Sequence, residues 1–427
     1  MRPLFQRQSP PSAAQQKVMS QKFTELAAQY RQAMAVADYA AASRCCEKAL
    51  ALLPHNMSVQ SDYALSLMRD GKHDKAYKVY RKIYQSPRRH EASETWLDGL
   101  AELCGHMGKT DEMRAYGLES LTRADQRFSQ GTAWPLPQTP PPFFQPDQPD
   151  KNIISFSLYG DRPRYGETLI KNIETAAELF PAWRCRVYLD DSVPQHVWQR
   201  LEQAGARLVD MSQEKAIYPT LWRFLVMDDP QVERFLVRDA DSLLSEREQV
   251  CVEAWLGSPF YFHHMRDYFT HTELLLAGMW GGCGGVIPNV EGMMRQFVAG
   301  YQGSARFTDQ YFLKVALWPT VRQSILNHDE IFAFHHAQPW PAHPPIRWKA
   351  EHFHVGSNAG FTLLAGPSKK ADGEKQAVAL NMDGERYRYT AAVRNGQWSL
   401  PVPFFLAERF RQGEMQVEVI TDTDTGS

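Results

Sequence analysis

Two carboxylates one residue apart, Asp239 and Asp241, follow the apolar run Phe235-Leu236-Val237 in "ERFLVRDADSLLSERE". In an extended segment residues i and i+2 point to the same side. Two negative charges held there repel unless a cation or a hydrogen-bond donor lies between them. Hard divalent ions, Mg²⁺ or Mn²⁺, take such oxygens and fill the rest of their shell with water and phosphates. An isolated Asp-x-Asp is a frequent chance pattern, and most copies are solvated turns. What surrounds this one therefore decides its meaning. Arg238 and Arg266 could each contact an anion or form a structural ion pair. "LLLAGMWGGCGGVIP" is rich in glycine from Gly278 to Gly285. It reads equally as a close backbone approach to a ligand, with Gly281 central, or as a tight strand connection. Trp280 within it could stack on a ring or fill the core.

The elements that must hold these residues can be read on either side of them. From residue 152, "NIISFSLYG", "CRVYLDD" and "ARLVDM" read as strands. "GETLIKNIETAAELFP" and "PQHVWQRLEQAG" read as the helices between them. This β-α-β-α-β alternation predicts a parallel sheet with helices on its faces. Ligands in such sheets sit at the carboxyl ends of the strands. The turn after Leu158, with Ser157 and Tyr159, is thus expected on the same rim as Asp239 and Asp241. Upstream, residues 20–130 are helical and repetitive. Ala42, Cys46, Ala49 and Pro54 are answered by Ala76, Tyr80 and Ile83, with 34 residues between Ala42 and Ala76. Gly71 and Gly108 occupy matching turn positions in successive units. This spacing resembles the tetratricopeptide repeat, which stacks helix pairs. Residues 131–151, with seven prolines from Pro135 to Pro149, read as a semi-rigid linker. The α/β domain is expected over 152–368. A small β unit over 369–427 is marked by the hairpin turns Asp383-Gly384 and Asn395-Gly396.

Bulk properties exclude some classes. The 427 residues carry 47 Lys plus Arg against 49 Asp plus Glu, a net charge of −2. No basic excess argues for nucleic acid. No apolar stretch is long enough to span a bilayer, and the first residues lack the apolar core of a signal peptide. Six cysteines without a CxxC pair fit a reducing compartment, so a cytoplasmic location is expected. Attachment to the inner membrane through partners remains compatible with it.

Taken in order, "SFSLYG", "YPTLWRFLVMDD", "VRDADSLLSERE" and "GSARFTDQYFLKVALWP" resemble the nucleotide-sugar glycosyltransferases of the GT-A fold. The likeness is to bacterial polysaccharide-assembly transferases and to the glycogenin and galactosyltransferase clan. It covers about half the chain. It implies a hexose moved from a nucleotide sugar, a UDP-sugar first, to a carbohydrate or glycoprotein acceptor. It implies Mn²⁺ or Mg²⁺ on Asp239, Asp241 and a third ligand, His354 or else His352. The clan's His-x-x-Gly-Lys-Pro-Trp is not reproduced, so Lys349 or Arg347 would replace the missing lysine. Ser157, Tyr159, Arg223, Arg238, Asp239 and Gly281 are the implied donor contacts. Asp309 and Gln310 would lie beside the sugar, which leans to retention. A helix cap at Thr308 or Asp309 is the bland alternative. An inverting enzyme would need a carboxylate base, Asp267 or Asp309. Two other readings compete. One is a sugar nucleotidyltransferase, whose glycine-rich loop with Arg or Lys straight after the first strand is matched only in part by "SLYGDRPRYGE". The other is a scaffold whose repeats hold a protein partner.

Overall fold

The computed structural model describes residues 13–350, 353–360 and 362–420. The chain divides into two units, one up to Arg123 and one from Ala124.

The first unit is helical: α1 Ala13–Ala35, α2 Tyr39–Leu52, α3 Met57–Arg69, α4 His73–Gln85, α5 Trp96–His106 and α6 from Thr110. Ala42, Ala76, Tyr80 and Ile83 are buried, as the repeat spacing predicts. Gly99 of α5 lies against the Tyr80 hydroxyl, where any Cβ would collide. One turn recurs three times. Ala37, Gly71 and Gly108 have φ of 58°, 73° and 68°. At each, the next residue's amide reaches back five residues: Asp38 to Ala33, Lys72 to Leu67 and Lys109 to Cys104. This left-handed helix stop satisfies otherwise orphaned carbonyls and favours glycine. The first copy does it with alanine.

The second unit holds two sheets. The larger comprises β1 Asn152–Leu158, β2 Arg184–Leu189, β3 Arg207–Asp210, β4 Arg234–Arg238, β5 Phe262–Arg266, β6 Met279–Cys283 and β7 Ile325–Asp329. Their spatial order is β3-β2-β1-β4-β6-β5-β7. β6 runs against both its neighbours, and every other pairing is parallel. Helices α7 Pro163–Leu179, α8 Gln195–Gln203, α9 Glu246–Leu256, α10 Val290–Gly300, α11 Thr308–Phe312 and α12 Trp318–Val321 accompany it. β1, β4, β5 and β6 are buried along their whole length, as central strands covered on both faces must be, and the edge strand β7 is buried too, bridged on its outer side by Gln338. The protein is thus α/β with a mixed sheet and an N-terminal helical region.

The Pro-rich stretch is not a free spacer. Trp134 N–H donates to Thr320 Oγ1 at 3.0 Å, Tyr261 Oη donates to the Thr139 carbonyl at 2.9 Å, and Phe144 stacks on Trp183. Proline cannot donate to a sheet ladder, but its fixed backbone lets it lie as a strap with little entropy left to lose.

The smaller sheet contains β8 Thr362–Pro367, β9 Lys375–Met382, β10 Glu385–Arg394, β11 Gln397–Val402 and β12 Met415–Val419, with α13 Phe404–Gln412. It therefore begins at Thr362, several residues before the expected boundary at 369. Asp383, Gly384, Asn395 and Gly396 all have positive φ, the backbone that both hairpin turns demand. Tyr389 on β10 reaches Glu167 on α7, which Arg200 of α8 also holds with two hydrogen bonds. Arg200 in turn lies 4.2 Å from the Tyr387 ring centroid. The small sheet is anchored to the larger domain by this buried polar knot.

Candidate active-site cleft

Arg223 organises the rim. It lies in a 3-10 run, Pro219–Asp228, not in an α-helix. Ser155 and Ser157, on one face of β1, clamp its backbone: Ser155 Oγ donates to the Arg223 carbonyl at 2.7 Å. Ser157 Oγ accepts from its N–H at 2.9 Å. The buried guanidinium then donates to Asp239 Oδ1, and to Asp309 Oδ2 at 2.8 Å. Burial alone would lower the Arg223 pKa, but the two carboxylates outweigh it and hold it above its ordinary value. Burial pushes Asp309 up, with Arg223 opposing.

Asp241 is held separately. Arg164, in the first turn of α7, donates to its Oδ2 at 2.6 Å. Burial first, then the neighbouring Asp239 charge, raises the Asp241 pKa despite Arg164. Asp239 leaves its other oxygen over Gly278, where a Cβ would collide with the carboxylate. The loop after Phe353 closes over this turn. Ala359 N–H donates to the Asp241 carbonyl at 2.6 Å and Ser242 Oγ to the Gly356 carbonyl at 3.0 Å.

Two cavities meet here. One, about 660 Å³, is lined by Ser157, Tyr159, Arg164, Asp239, Asp241 and Asp309, among others. The second, about 1350 Å³, includes Tyr268, Met279, Phe353, His354, Phe404 and Arg411. They share Asp239, Arg306, Gly356 and Asn358 as common walls.

The rim thus gathers Ser157, Tyr159, Arg223, Asp239, Asp241 and Asp309. Gln310 lies at the larger cavity, and its amide spans the preceding loop, donating to the Leu275 carbonyl and accepting from Ala277 N–H. Asp309 and Gln310 sit inside the first turn of α11, whose cap position is Phe307. Six candidate contacts lie elsewhere. Arg238 points away from the cleft and donates to buried Glu248 at 2.6 Å. Gly281 is central in β6, pressed on the Phe235 carbonyl, so its missing side chain serves strand packing. Gly278 is the glycine that faces the carboxylates. Asp267 is enclosed: Arg247 lies 3.2 Å away and Val355 N–H donates to it at 3.1 Å. Burial raises its pKa to about 6. It orders the overlying loop and does not face either cavity. Arg347 is taken by Glu246 and Glu178. Trp280 is wholly buried against Phe235 and Phe224. Arg266 is a buried partner of Asp329.

His354 stacks on Tyr268, ring centroids 3.8 Å apart, with His271 edge-on. His352 lies outside the described residues. Among the described residues no three His, Cys, Asp or Glu side chains form a group that could hold a metal. The donor set is two hard carboxylates, each with one oxygen on an arginine. That set suits a Mg²⁺- or Mn²⁺-type ion completed by water and phosphates, and does not suit a protein-only zinc cage.

Two arginines and one wall of the cleft were missed by sequence reasoning. Arg164 and Arg306 sit within quoted motifs, "SLYGDRPRYGE" and "GSARFTDQ", so their charge was the available signal. The wall supplied by α13 had none.

No family model matches the chain, and no curated protein matches it. Among solved structures it is similar to a mutant O-GlcNAc transferase from Thermobaculum terrenum, at 15% identity and a TM-score of 0.27. The match covers 46% of this chain and 43% of that one, so the chain spans under half the length of that structure. Similarity at this level assigns neither fold nor activity. No described helix is long and apolar enough to cross a membrane.

Proposed function

We propose that this chain is a metal-dependent glycosyltransferase of the GT-A kind. It moves a hexose from a nucleotide sugar, a UDP-sugar first, to a carbohydrate or glycoconjugate acceptor. One observation carries the reading. The Asp239-Ala240-Asp241 turn and the start of α7 line one pocket that also presents Arg162, Arg164, Arg223 and Arg306. Its lining holds four aspartates and four arginines, so it is electrically balanced. A nucleoside diphosphate needs a positive surplus, and a divalent ion on Asp239 and Asp241 would supply it. When bound, that ion stabilises charge on the departing diphosphate as a Lewis acid.

The chain's own residues prepare this site. Arg223 fixes the Asp239 carboxylate, Arg164 fixes Asp241, and the two serines of β1 fix Arg223. Half-exposed Tyr159, packed edge-on to Trp222, offers a face for the base. The strand order, with a reversed β6 beside β4, agrees with a GT-A sheet. Asp267 is too enclosed to act as the base of an inverting reaction, and Asp309 is committed to Arg223. Both observations favour retention. A cytoplasmic role in bacterial surface-polysaccharide synthesis, with a protein partner on the helical repeats, belongs to the same proposal.

Arg162 and Arg164, close behind β1, also favour the nucleotidyltransferase reading, and the products separate the two. Transfer or donor hydrolysis releases nucleoside diphosphate, whereas nucleotidyl transfer releases pyrophosphate. The experiment is turnover of UDP-hexoses with Mn²⁺ and, in parallel, of UTP with hexose 1-phosphates, followed by both products. The expected result is UDP release that falls at least about a hundredfold in Asp241→Asn, a loss on the scale of one strong electrostatic contact. Undiminished turnover in that variant, or pyrophosphate as the product, counts against the proposal.

A further inference from the structure

The larger cavity differs from the smaller one in how its charges are met. Buried or half-buried arginines around the cleft are paired: Arg238 with Glu248, Arg266 with Asp329, Arg347 with Glu246 and Arg223 with two aspartates. Three cations on the larger cavity have no such partner among the described residues. Arg306 comes from the turn before α11, Lys349 from the loop after β7 and Arg411 from α13. All three are exposed. Two carboxylates line the same space, Asp239 and Glu408. Asp239 is already matched by Arg223, which leaves Glu408 facing three cations. Such a surplus in an open cleft attracts an anion and is weakened by salt.

The cavity's shape and remaining walls narrow the class. At about 1350 Å³ it exceeds the roughly 300–1,000 Å³ that a single small molecule fills. Tyr268, Phe307, Phe353 and Phe404 line it, and Phe307 leaves 51% of its surface exposed although it is a large apolar side chain. Aromatic faces set among polar groups suit flat, amphipathic rings. The cations come from three separate segments of chain that line one cavity, so a ligand that meets all three carries more than one negative charge.

We propose that this cavity is the acceptor subsite of the transferase proposed above and that it takes an acidic saccharide chain, one bearing carboxylates on successive sugars. The inference rests on that functional reading for the word acceptor. The binding chemistry rests on the cavity alone. Arg306 borders both cavities, whereas Lys349, expected from the sequence near the phosphates, and Arg411 line the larger one and not the smaller, so these two are the residues through which to test it.

The test is calorimetric titration of the full chain with tetragalacturonate and with maltotetraose, a neutral chain of equal length, at low and at high salt. Binding of UDP with Mn²⁺ is measured on the same samples. The expected result is tetragalacturonate binding at least about tenfold tighter than maltotetraose, with the preference shrinking as salt rises. Lys349→Ala combined with Arg411→Ala removes that preference and leaves UDP binding unchanged. Lys349→Arg combined with Arg411→Lys retains it, which excludes a folding defect. Equal affinity for the two chains overturns the inference, as does an unchanged preference in the alanine variant. Glucose 6-phosphate competing as well as tetragalacturonate would assign the cations to one phosphate and also overturn it. If UDP binds and tetragalacturonate does not, this inference alone fails. If UDP does not bind the wild type, the functional proposal fails whatever the tetrasaccharide does.

Discussion

Arg223→Gln tests whether one buried guanidinium holds the rim together. The substitution leaves two carboxylates without their partner. Asp309 has only 11% of its side chain exposed, whereas Asp239 has 37%. Breaking a buried pair by deleting one member costs about 3–5 kcal/mol, because the remaining charge stays desolvated. That figure applies to Asp309. Asp239 is screened by solvent and adds no more than about 1 kcal/mol. The unit from Ala124 has about 300 residues. At about 2.1 cal/mol/K per residue, its unfolding entropy is near 0.6 kcal/mol/K, so 3–5 kcal/mol lowers Tm by roughly 5–8 °C. Ten of the eleven tryptophans lie in this unit, so fluorescence-detected melting reports it. The sign with pH follows from Asp309. Its folded pKa is already raised by burial, and losing Arg223 raises it further. A carboxyl whose folded pKa is raised loses stability as pH rises through that pKa. The deficit should therefore be largest at alkaline pH and shrink as pH falls and the orphaned carboxyl protonates. A Tm within about 2 °C of wild type at pH 8, or a deficit that does not vary with pH, would refute the reasoning.

Two further perturbations probe the same cleft. Asp267 is enclosed, and its pKa is raised to about 6 from 3.8. Its contribution should cost stability, about 3 kcal/mol, as pH rises from about 4 to 6. Asp267→Asn keeps an acceptor for Val355 N–H while Arg247 retains Glu330. Denaturant melts of both proteins should differ in slope across that pH window, and parallel curves would contradict the burial argument. Gly278→Ala drives a Cβ into the Asp239 carboxylate. UDP affinity in the presence of Mn²⁺ should fall at least about tenfold with the fold intact by circular dichroism, and unchanged affinity would mean Asp239 takes no part.

Much of the scaffold was legible because local rules and tertiary structure agree. The alternation of short apolar runs with amphipathic stretches marked β1 to β3 and their helices. Asp383-Gly384 and Asn395-Gly396 marked their hairpins through the positive φ that few other pairs tolerate. Ala42, Ala76, Tyr80 and Ile83 revealed the helical repeat because close helix contacts demand fixed sizes at fixed spacing. Residues that line the cleft were legible where they cluster at one strand end, as Ser157 and Tyr159 do at the end of β1 and Asp239 and Asp241 after β4. Failures share a cause. Arg238 adjoins Asp239 in sequence, yet its side chain turns to Glu248 on α9, on the side away from the rim. Gly281 and Gly278 are three apart in one glycine-rich run, and only the pairing of β6 with β4 decides which one meets a carboxylate. Arg164 acts on a residue 77 positions away, and α13 reaches the cavity through docking of the second sheet. Such long-range contacts leave no local pattern. The Pro-rich strap misled for the same reason, since proline content excludes helix and central strand without saying whether the segment is free or docked.

The central claim is that Asp239 and Asp241 form a divalent-metal anchor for a nucleoside diphosphate. The direct measurement is calorimetric binding of UDP to the full chain, with Mn²⁺ and with EDTA, for wild type, Asp239→Asn and Asp241→Asn. The account predicts UDP binding that requires Mn²⁺ in the wild type and is weakened at least about a hundredfold in either variant. UDP binding that is equally tight in EDTA, or that survives both substitutions, would contradict it.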